Sequence, residues 1–291
     1  MDSNYAFNMK YVWAISLTAA LGGLLFGYDW VVIGGAKPFF QEYFHLTGDE
    51  NTGAIGWAMS CALLGCLIGA LSAGFLSDKF GRRRPLILAA FLFIITALAT
   101  GLARTFPEFI MSRISNGIAI GLASNLSPVY IAEVAPAEKR GKLVSLNQLA
   151  IVIGVLLAQF MNFIIAEPIP EGMSGEALVD TWNGQYGWRW MFIAASFPAV
   201  LFFILAFLIP ESPRWLIKAG KENKAVKVLR KLGDENYVKN SLSGIKETLK
   251  DETSGIYFKA LANPVTFKIV LLGMFLAFLQ QTLQFEKRKQ L

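Results

Sequence analysis

Seven long apolar stretches run through this chain of 291 residues, and their length decides what it can fold into. A bilayer core about 30 Å thick is crossed by about 20 residues of helix. The chain is 54% hydrophobic and only 16% charged, whereas soluble domains carry about 25% charged residues. We predict an all-α membrane protein with spans at about 11–35, 54–77, 85–103, 108–131, 143–166, 188–209 and 265–283.

Basic residues are concentrated in alternate connections between these stretches. Residues 79–84 carry four Lys and Arg, residues 139–142 carry three and residues 212–264 carry eleven, while the other connections carry almost none. Loops rich in Lys and Arg stay on the cytoplasmic side of a membrane. We expect a multi-pass cell-membrane protein (inner membrane in a Gram-negative source) whose amino terminus and 211–262 segment are cytoplasmic. The net charge of +6 then reflects topology, and nucleic-acid binding is not expected.

The composition divides the chain into three parts. Residues 1–210 are expected to form a bundle of six spans, and residues 263–291 begin a seventh span that is clipped by a charged cluster. Residues 211–262 alternate Lys, Arg and Glu with aliphatic residues, which predicts two or three short amphipathic helices. Gly233 followed by Asp234 is typical of one helix ending and the next beginning.

Two ionisable residues lie inside predicted spans, Asp29 in the first and Arg113 in the fourth. A charge in the bilayer core costs about 2.5 kcal/mol or more, so each is a functional candidate by default. If the two meet, each lowers the cost of burying the other. One interpretation is a switch, in which Asp29 takes up a proton and releases Arg113. The alternative is a static ion pair that locks two helices together.

Uncharged amides form a second group of polar residues within the spans. Gln148 and Gln159 lie in the fifth span, and Gln280 and Gln281 are adjacent in the seventh. Amides both donate and accept hydrogen bonds, which suits a ligand made of hydroxyl groups. The aromatic ring of Phe26 could stack on the apolar face of a sugar. The alternative for each amide is a hydrogen bond between helices.

Small residues recur at four-residue spacing in the second and fourth spans. The pairs are Gly65 with Gly69 and Gly117 with Gly121. Such spacing lets two helices approach closely in a membrane. We therefore expect tight packing of these helices, which is common to any bundle and does not by itself indicate transport.

The sequence lacks the residue sets of an enzyme or a metal site. It has a single histidine, His45, and its two cysteines, Cys61 and Cys66, stand five apart in one span. That spacing does not favour a disulfide or a metal pair, and separate buried thiols are the simpler interpretation. We expect no enzymatic activity, no metal and no cofactor. A membrane sensor is disfavoured because the linker contains no recognisable signalling domain.

Four motifs resemble the sugar-porter subfamily of the major facilitator superfamily, in that family's order and spacing. Residues 74–83 (GFLSDKFGRR) are similar to the loop between spans 2 and 3, and residues 128–141 (PVYIAEVAPAEKRG) to the signature after span 4. Residues 187–192 (GWRWMF) and 210–214 (PESPR) resemble the start and the end of span 6. The resemblance covers roughly residues 10–283 and implies the amino-terminal half of such a transporter.

The resemblance implies charged networks at the span ends that hold one conformation and break as it changes. Exposed pairs of this kind contribute about 0–1 kcal/mol each, which suits a switch. The alternative is that these charges only anchor helices at the lipid interface. The implied gating residues are Asp78, Arg82, Glu133, Arg140, Glu211 and Arg214.

The resemblance also implies symport of a monosaccharide, a pentose or a hexose, with a proton by alternating access. Asp29 would be the proton site and Arg113 its partner, because facilitative members typically have asparagine at the position of Asp29. Phe26, Gln148, Gln280 and Gln281 would match the sugar-binding positions, with Gln159 as a further candidate one turn beyond a family glutamine replaced by Val155. A facilitative uniporter is the alternative.

The end of the chain departs from the family. After the paired glutamines the family continues with glycine, a branched residue and asparagine, where this chain has Gln284, Phe285 and Glu286. We expect the chain to be truncated, so that a missing carboxy-terminal half of five further spans is needed for a complete sugar site. A fragment that is inactive on its own is therefore a further alternative. The expected partners are the sugar, the proton and membrane lipid.

Overall fold

A computed structural model of the chain describes residues 6–170, 173, 175–252, 264 and 266–275. Six helical segments are long and apolar enough to cross a membrane, which confirms the first six predicted spans and the all-α fold. The first five spans are α1 (Met9–Tyr43), α2 (Thr52–Phe80), α3 (Arg83–Leu102), α4 (Phe106–Val134) and α5 (Arg140–Ile165).

The sixth span, Asn183–Ala206, is built from three pieces rather than one helix. A π-helical turn at Asn183–Gly187 leads into α7 (Trp188–Ile193), and α8 (Ser196–Ala206) follows after Ala194 and Ala195, which keep helical dihedral angles in a tightened turn. The short helix α6 (Glu176–Val179) precedes them. The span begins earlier than predicted because the buried Asn183 side chain bonds the backbone of Glu167 and draws the loop into the bundle.

Of the predicted seventh span, only α12 (Thr266–Phe275) belongs to the described part of the chain. The remainder of 265–283, including Gln280 and Gln281, lies outside the described residues. The described residues divide into two compact units, one up to Leu242 and the other from Ser243. The first unit contains the six spans.

Glycines bring helix backbones into direct contact at two seams. A β-carbon at Gly65 would lie 1.9 Å from the carbonyl oxygen of Ile114, and one at Gly117 would lie 2.0 Å from that of Ala62. No side chain larger than hydrogen fits at such a distance, so the four-residue spacing serves the close packing of α2 on α4. The α1–α5 seam is built in the same way around Gly154, where a β-carbon would lie 2.0 Å from the Leu24 oxygen.

We call one end of the bundle the linker end, because α2 meets α3 there, α4 meets α5 there, and the sixth span leads into the linker helices. The other end is the opposite end. Its core is aromatic, with Phe40, Phe109, Trp188 and Phe192 in mutual ring contact. These rings close the bundle beyond the level of the charged residues in α1 and α4.

Three helices form the linker: α9 (Pro213–Lys218), α10 (Glu222–Leu232) and α11 (Glu235–Glu252). They confirm the predicted helical linker. The helix break falls at Gly233, as the sequence indicates. One face of α10 is apolar, and Leu229 and Leu232 join the bundle core beside Val12 of α1.

The chain segment before α1 pairs with the loop between α10 and α11. The N–H of Asn8 donates to the Leu232 oxygen at 2.9 Å, and the N–H of Asp234 donates to the Ala6 oxygen at 3.2 Å. Hydrogen bonds from the N–H groups of Tyr237 and Ala6 hold the pKa of the Asp234 carboxyl below its usual value. The start of the chain is thereby tied to the linker.

Candidate functional site

Asp29 of α1 and Arg113 of α4 meet inside the bundle. Arg113 Nη1 lies 2.5 Å from Asp29 Oδ1, and the two side chains are 3% (Arg113) and 11% (Asp29) exposed. Charge-assisted hydrogen bonds of this kind are the strong ones. The structure therefore brings together the two ionisable residues that the sequence places in different spans.

A third residue completes the pair. Asn116, one turn after Arg113 on α4, donates from Nδ2 to the same oxygen of Asp29 at 2.6 Å. Its amide oxygen accepts a hydrogen bond from the hydroxyl of Thr96 at 2.8 Å, which fixes the orientation of the amide. Asn116 was not among the residues predicted from the sequence. Its spacing of three residues from Arg113 was the available signal, since residues three apart share a helix face.

Two donors point at one oxygen of Asp29, the guanidinium of Arg113 and the amide of Asn116. The guanidinium of Arg113 lies over the ring of Phe192, with its carbon 5.5 Å from the ring centroid. Its Nε has no hydrogen-bond partner among the residues that the structure describes. Asp29 supplies the counter-charge of this buried guanidinium.

A second group of charges lies at the linker end. Arg82 donates to Glu133 Oε1 from Nη2 at 2.9 Å and from Nε at 3.2 Å. Asp78, one helical turn before Arg82, is 3.6 Å from its Nη1. These contacts join the end of α2 to the end of α4.

Glu211 closes the start of α3 from the end of the sixth span. Its Oε1 accepts from the backbone N–H of Arg82 at 2.7 Å and of Arg83 at 3.2 Å. The first N–H groups of a helix lack partners within it and favour negative charge. Gly81 has φ +89°, and a β-carbon there would lie 2.2 Å from Glu211 Oε2, so only glycine fits beside this carboxylate.

Two further basic residues belong to the linker end and were missed. Arg83 donates to the backbone oxygens of Ala206 and Phe207, and so caps the last turn of α8. Lys218 of α9 is 3.7 Å from Asp78. The two remaining predicted residues are placed differently: Arg140 begins α5 and is exposed, and Arg214 is partly buried in the first turn of α9.

The predicted sugar-binding residues are not gathered into one site by the described part of the chain. Gln148 and Gln159 are both exposed on α5 and share a face, because eleven residues make about three turns. Phe26 is half-buried on α1, with its ring 6.3 Å from that of Trp30. Within the described residues, no group of three or more His, Cys, Asp or Glu has the geometry of a metal site.

Comparison with known proteins gives concordant results. A family model described as "Sugar (and other) transporter" matches residues 15–284. The D-xylose-proton symporter of Escherichia coli K12 is 40% identical over 268 residues, covering 84% of this chain and 53% of that protein. The arabinose-proton symporter of Bacillus subtilis is 38% identical over 276 residues, covering 95% and 56%. The glucose transport protein of Synechocystis is 41% identical, covering 94% and 57%.

The fold matches the same group of proteins. The structure of the proton:xylose symporter XylE bound to 6-bromo-6-deoxy-D-glucose aligns with a TM-score of 0.77 and 39% identity, covering 84% of this chain and 54% of that one. The inward open conformation of the Escherichia coli protein aligns with a TM-score of 0.71. The chain spans about half the length of the relatives it matches. It belongs to the sugar transporter family of the major facilitator superfamily.

Proposed function

We propose that the protein moves a monosaccharide, a pentose or a hexose, together with a proton, by alternating access. The observation that carries the proposal is the buried Asp29, held by Arg113 and Asn116 inside the bundle. A proton on Asp29 cancels the charge that holds the guanidinium, so the energy of the pair depends on protonation. Relatives named as xylose-proton and arabinose-proton symporters support the same coupling.

The sugar would bind on the side of the bundle that Gln148 and Gln159 face. Their amides would donate to and accept from hydroxyl groups, Phe26 would stack on the ring, and Gln280 with Gln281 would add a second pair of amides. A facilitative uniporter is the second candidate. The family resemblance favours it less, because Asp29 stands where facilitative members typically have asparagine.

The gating residues would act at the linker end. Contacts from Arg82 to Glu133 and from Glu211 to the start of α3 would hold one conformation and part in the other. Each contact ties together the ends of two or more spans. Their opening would therefore allow the spans to separate at this end.

We also propose how the chain is organised and on which side of the membrane its parts lie. Residues 1–210 would be the membrane bundle, 211–262 a cytoplasmic linker and 263–291 the start of a further span. The positive-inside rule supports a cytoplasmic amino terminus and linker. A carboxy-terminal set of spans would complete the sugar path, since symporter sites form between two halves of the transporter.

Uptake of radiolabelled xylose and glucose into membrane vesicles tests the proposal. One preparation contains this chain alone, and a second contains it together with the carboxy-terminal half of a xylose-proton symporter. We expect accumulation driven by an imposed proton gradient in the second preparation only. The Asp29→Asn variant should lose gradient-driven accumulation while keeping exchange of sugar down its own gradient.

The matched control is Asp180→Asn, which makes the same chemical change at an exposed loop position. It should transport as the unmodified chain does. Gradient-driven accumulation that survives Asp29→Asn would overturn the assignment of the proton site. Uptake that ignores the gradient in every preparation would establish the uniporter instead. No uptake in either preparation would mean that the chain is an inactive fragment.

A further inference from the structure

A groove of about 720 Å³ lies between α5 and the sixth span, toward the opposite end of the bundle. It lies beside Ala194, where α7 passes into α8. Its walls are almost entirely apolar. The principal lining residues are Leu157, Met161, Ile164, Ile193, Phe197 and Pro198.

The groove faces away from the proposed sugar path. Two residues along a helix turn the side chain by about 200°, so Leu157 points away from the face that carries Gln159 and Gln148. On the sixth span, the rim residue Phe197 is 81% exposed. A wide apolar rim on a membrane-spanning segment contacts the hydrocarbon of the bilayer. The groove therefore opens toward lipid.

One end of the groove is polar and firmly held. Glu167 lines it, and the buried Asn183 side chain holds the Glu167 backbone. The Asn183 amide donates to the backbone oxygen of Glu167 at 2.8 Å and accepts from its backbone N–H at 2.9 Å. Trp182, also in the lining, donates from its indole to the Ile165 oxygen at 3.3 Å. Trp side chains favour the boundary between hydrocarbon and water. The groove thus runs from an interfacial acidic end into the hydrocarbon region.

The negative charge at the Glu167 end of the groove determines which lipid headgroup can bind there. Glu167 lines this end, the exposed Asp180 belongs to the same loop, and the sequence has no Lys or Arg between positions 167 and 187. The nearest cation that follows, Arg189, donates to the backbone oxygens of Gly101 and Ala103 and lies against the rings of Tyr43 and Trp188. An anionic headgroup would meet repulsion here, and an ammonium group would meet the carboxylate of Glu167.

We infer that this groove binds an acyl chain of a phospholipid whose headgroup ends in an ammonium group, of the phosphatidylethanolamine type. The groove wall is linked to the interior of the bundle, because the fully buried Tyr28 lies behind it and precedes Asp29 in the chain. The Tyr28 hydroxyl donates to the Met191 oxygen at 3.0 Å, which links α1 to the groove wall on α7. The assignment does not depend on transport activity.

Photocrosslinking of the purified 291-residue chain in lipid nanodiscs tests this inference. The probes are phosphatidylethanolamine and phosphatidylglycerol carrying the same photoreactive acyl chain, and labelled peptides are identified by mass spectrometry. We expect the ethanolamine probe to label the 157–165 and 190–198 segments. One charge near a membrane surface changes lipid affinity by about 1 kcal/mol, so the preference over the glycerol probe should be about fivefold.

Two pairs of matched variants sharpen the test. Leu157→Trp fills the groove and should abolish labelling there, while Leu71→Trp, on the exposed face of α2, should not. Glu167→Gln should remove the headgroup preference, while Asp180→Asn, which removes the same charge from the same loop, should keep most of it.

Four outcomes would overturn the inference. Labelling that Leu157→Trp leaves unchanged would mean that the acyl chain lies elsewhere. Equal labelling by both probes would remove the ammonium assignment. A preference lost equally in Glu167→Gln and Asp180→Asn would make the charge effect a property of the loop rather than of the groove. Protein–protein crosslinks in place of lipid labels would identify a second copy of the chain as the occupant.

Discussion

The two charged sites of the bundle lie near opposite ends of α4 and are built differently. Arg113 and Glu133 are 20 residues apart, which places them about 30 Å apart along the helix. At Arg113, one buried guanidinium balances one buried carboxylate. At the linker end, Arg82 contacts both Glu133 and Asp78, and Asp78 also lies near Lys218; Asp78 and Lys218 are both more than 40% exposed. The first site is one ion pair supported by a single amide, and the second divides its contacts among four charged side chains.

The largest effect is expected from Arg113→Leu, which would leave Asp29 buried without its counter-charge. Removing one partner of a buried ion pair costs about 3–5 kcal/mol of unfolding free energy. The measurement is the unfolding free energy in detergent micelles. The exposed Arg104→Leu, at the loop before α4, is the matched control and should change it little. Adding Asp29→Asn to Arg113→Leu should restore much of the loss, and a double variant as unstable as the single one would contradict the account.

A smaller loss is expected from Arg82→Ala at the linker end. The Arg82 side chain is 11% exposed and bonds Glu133 through two nitrogens. Both bonds end on one oxygen, Glu133 Oε1, so we count them as one charged interaction of about 1.5–3 kcal/mol. The same unfolding measurement should therefore place Arg82→Ala below Arg113→Leu, with the exposed Arg84→Ala near zero. A loss for Arg82→Ala that exceeded that for Arg113→Leu would reverse the comparison between the two sites.

A smaller effect still is expected from Lys218→Ala. The Lys218–Asp78 pair is exposed on both sides, and such pairs contribute about 0–1 kcal/mol. Salt should reduce even this contribution, since at about 1 M the screening length falls to about 3 Å. Unfolding at low and high salt provides the measurement. The loss of unfolding free energy caused by Arg113→Leu should not change with salt. A loss that did change with salt would show that water reaches the Asp29–Arg113 pair.

The smallest effect is expected from pH acting on the exposed Asp234. Its folded pKa is lowered by hydrogen bonds from the Tyr237 and Ala6 N–H groups. The stabilisation is therefore fully present above the unfolded pKa and is lost as pH falls through the folded value. Hydrogen exchange of residues 6–8 and 233–238 should accelerate in that acidic range. Asp234→Asn should exchange faster at neutral pH and lose the acid response, and an unchanged response would assign it to another group.

The sequence predicted the charged pair but not its setting. A carboxylate in span 1 and a guanidinium in span 4 stand out because each is costly in lipid unless paired. Asn116 is uncharged and resembles any polar residue that bonds a neighbouring helix, so its position against Asp29 needed the packing of α1 on α4. The contact of Glu211 also could not be predicted from the sequence. The motif at the end of the sixth span identified this residue, but its capping of α3 depends on the left-handed turn at Gly81.

The sixth span shows where sequence reasoning fails for a physical reason. Hydropathy locates the apolar run near 188–209 but cannot detect that the helix is wound as a π-turn at Asn183–Gly187. The turn is accompanied by the hydrogen bonds between the Asn183 side chain and the Glu167 backbone, which are tertiary contacts. The groove beside α5 is also a product of packing, and so no motif marked it.

The glycine seams determine how the bundle can deform. Where α2 meets α4 at Gly65 and Gly117, and α1 meets α5 at Gly154, backbone atoms touch with no side chain to yield between them. The two helices of each pair therefore cannot move closer together and should move as one rigid unit. We therefore expect movement within the bundle to occur between these two helix pairs rather than within either pair.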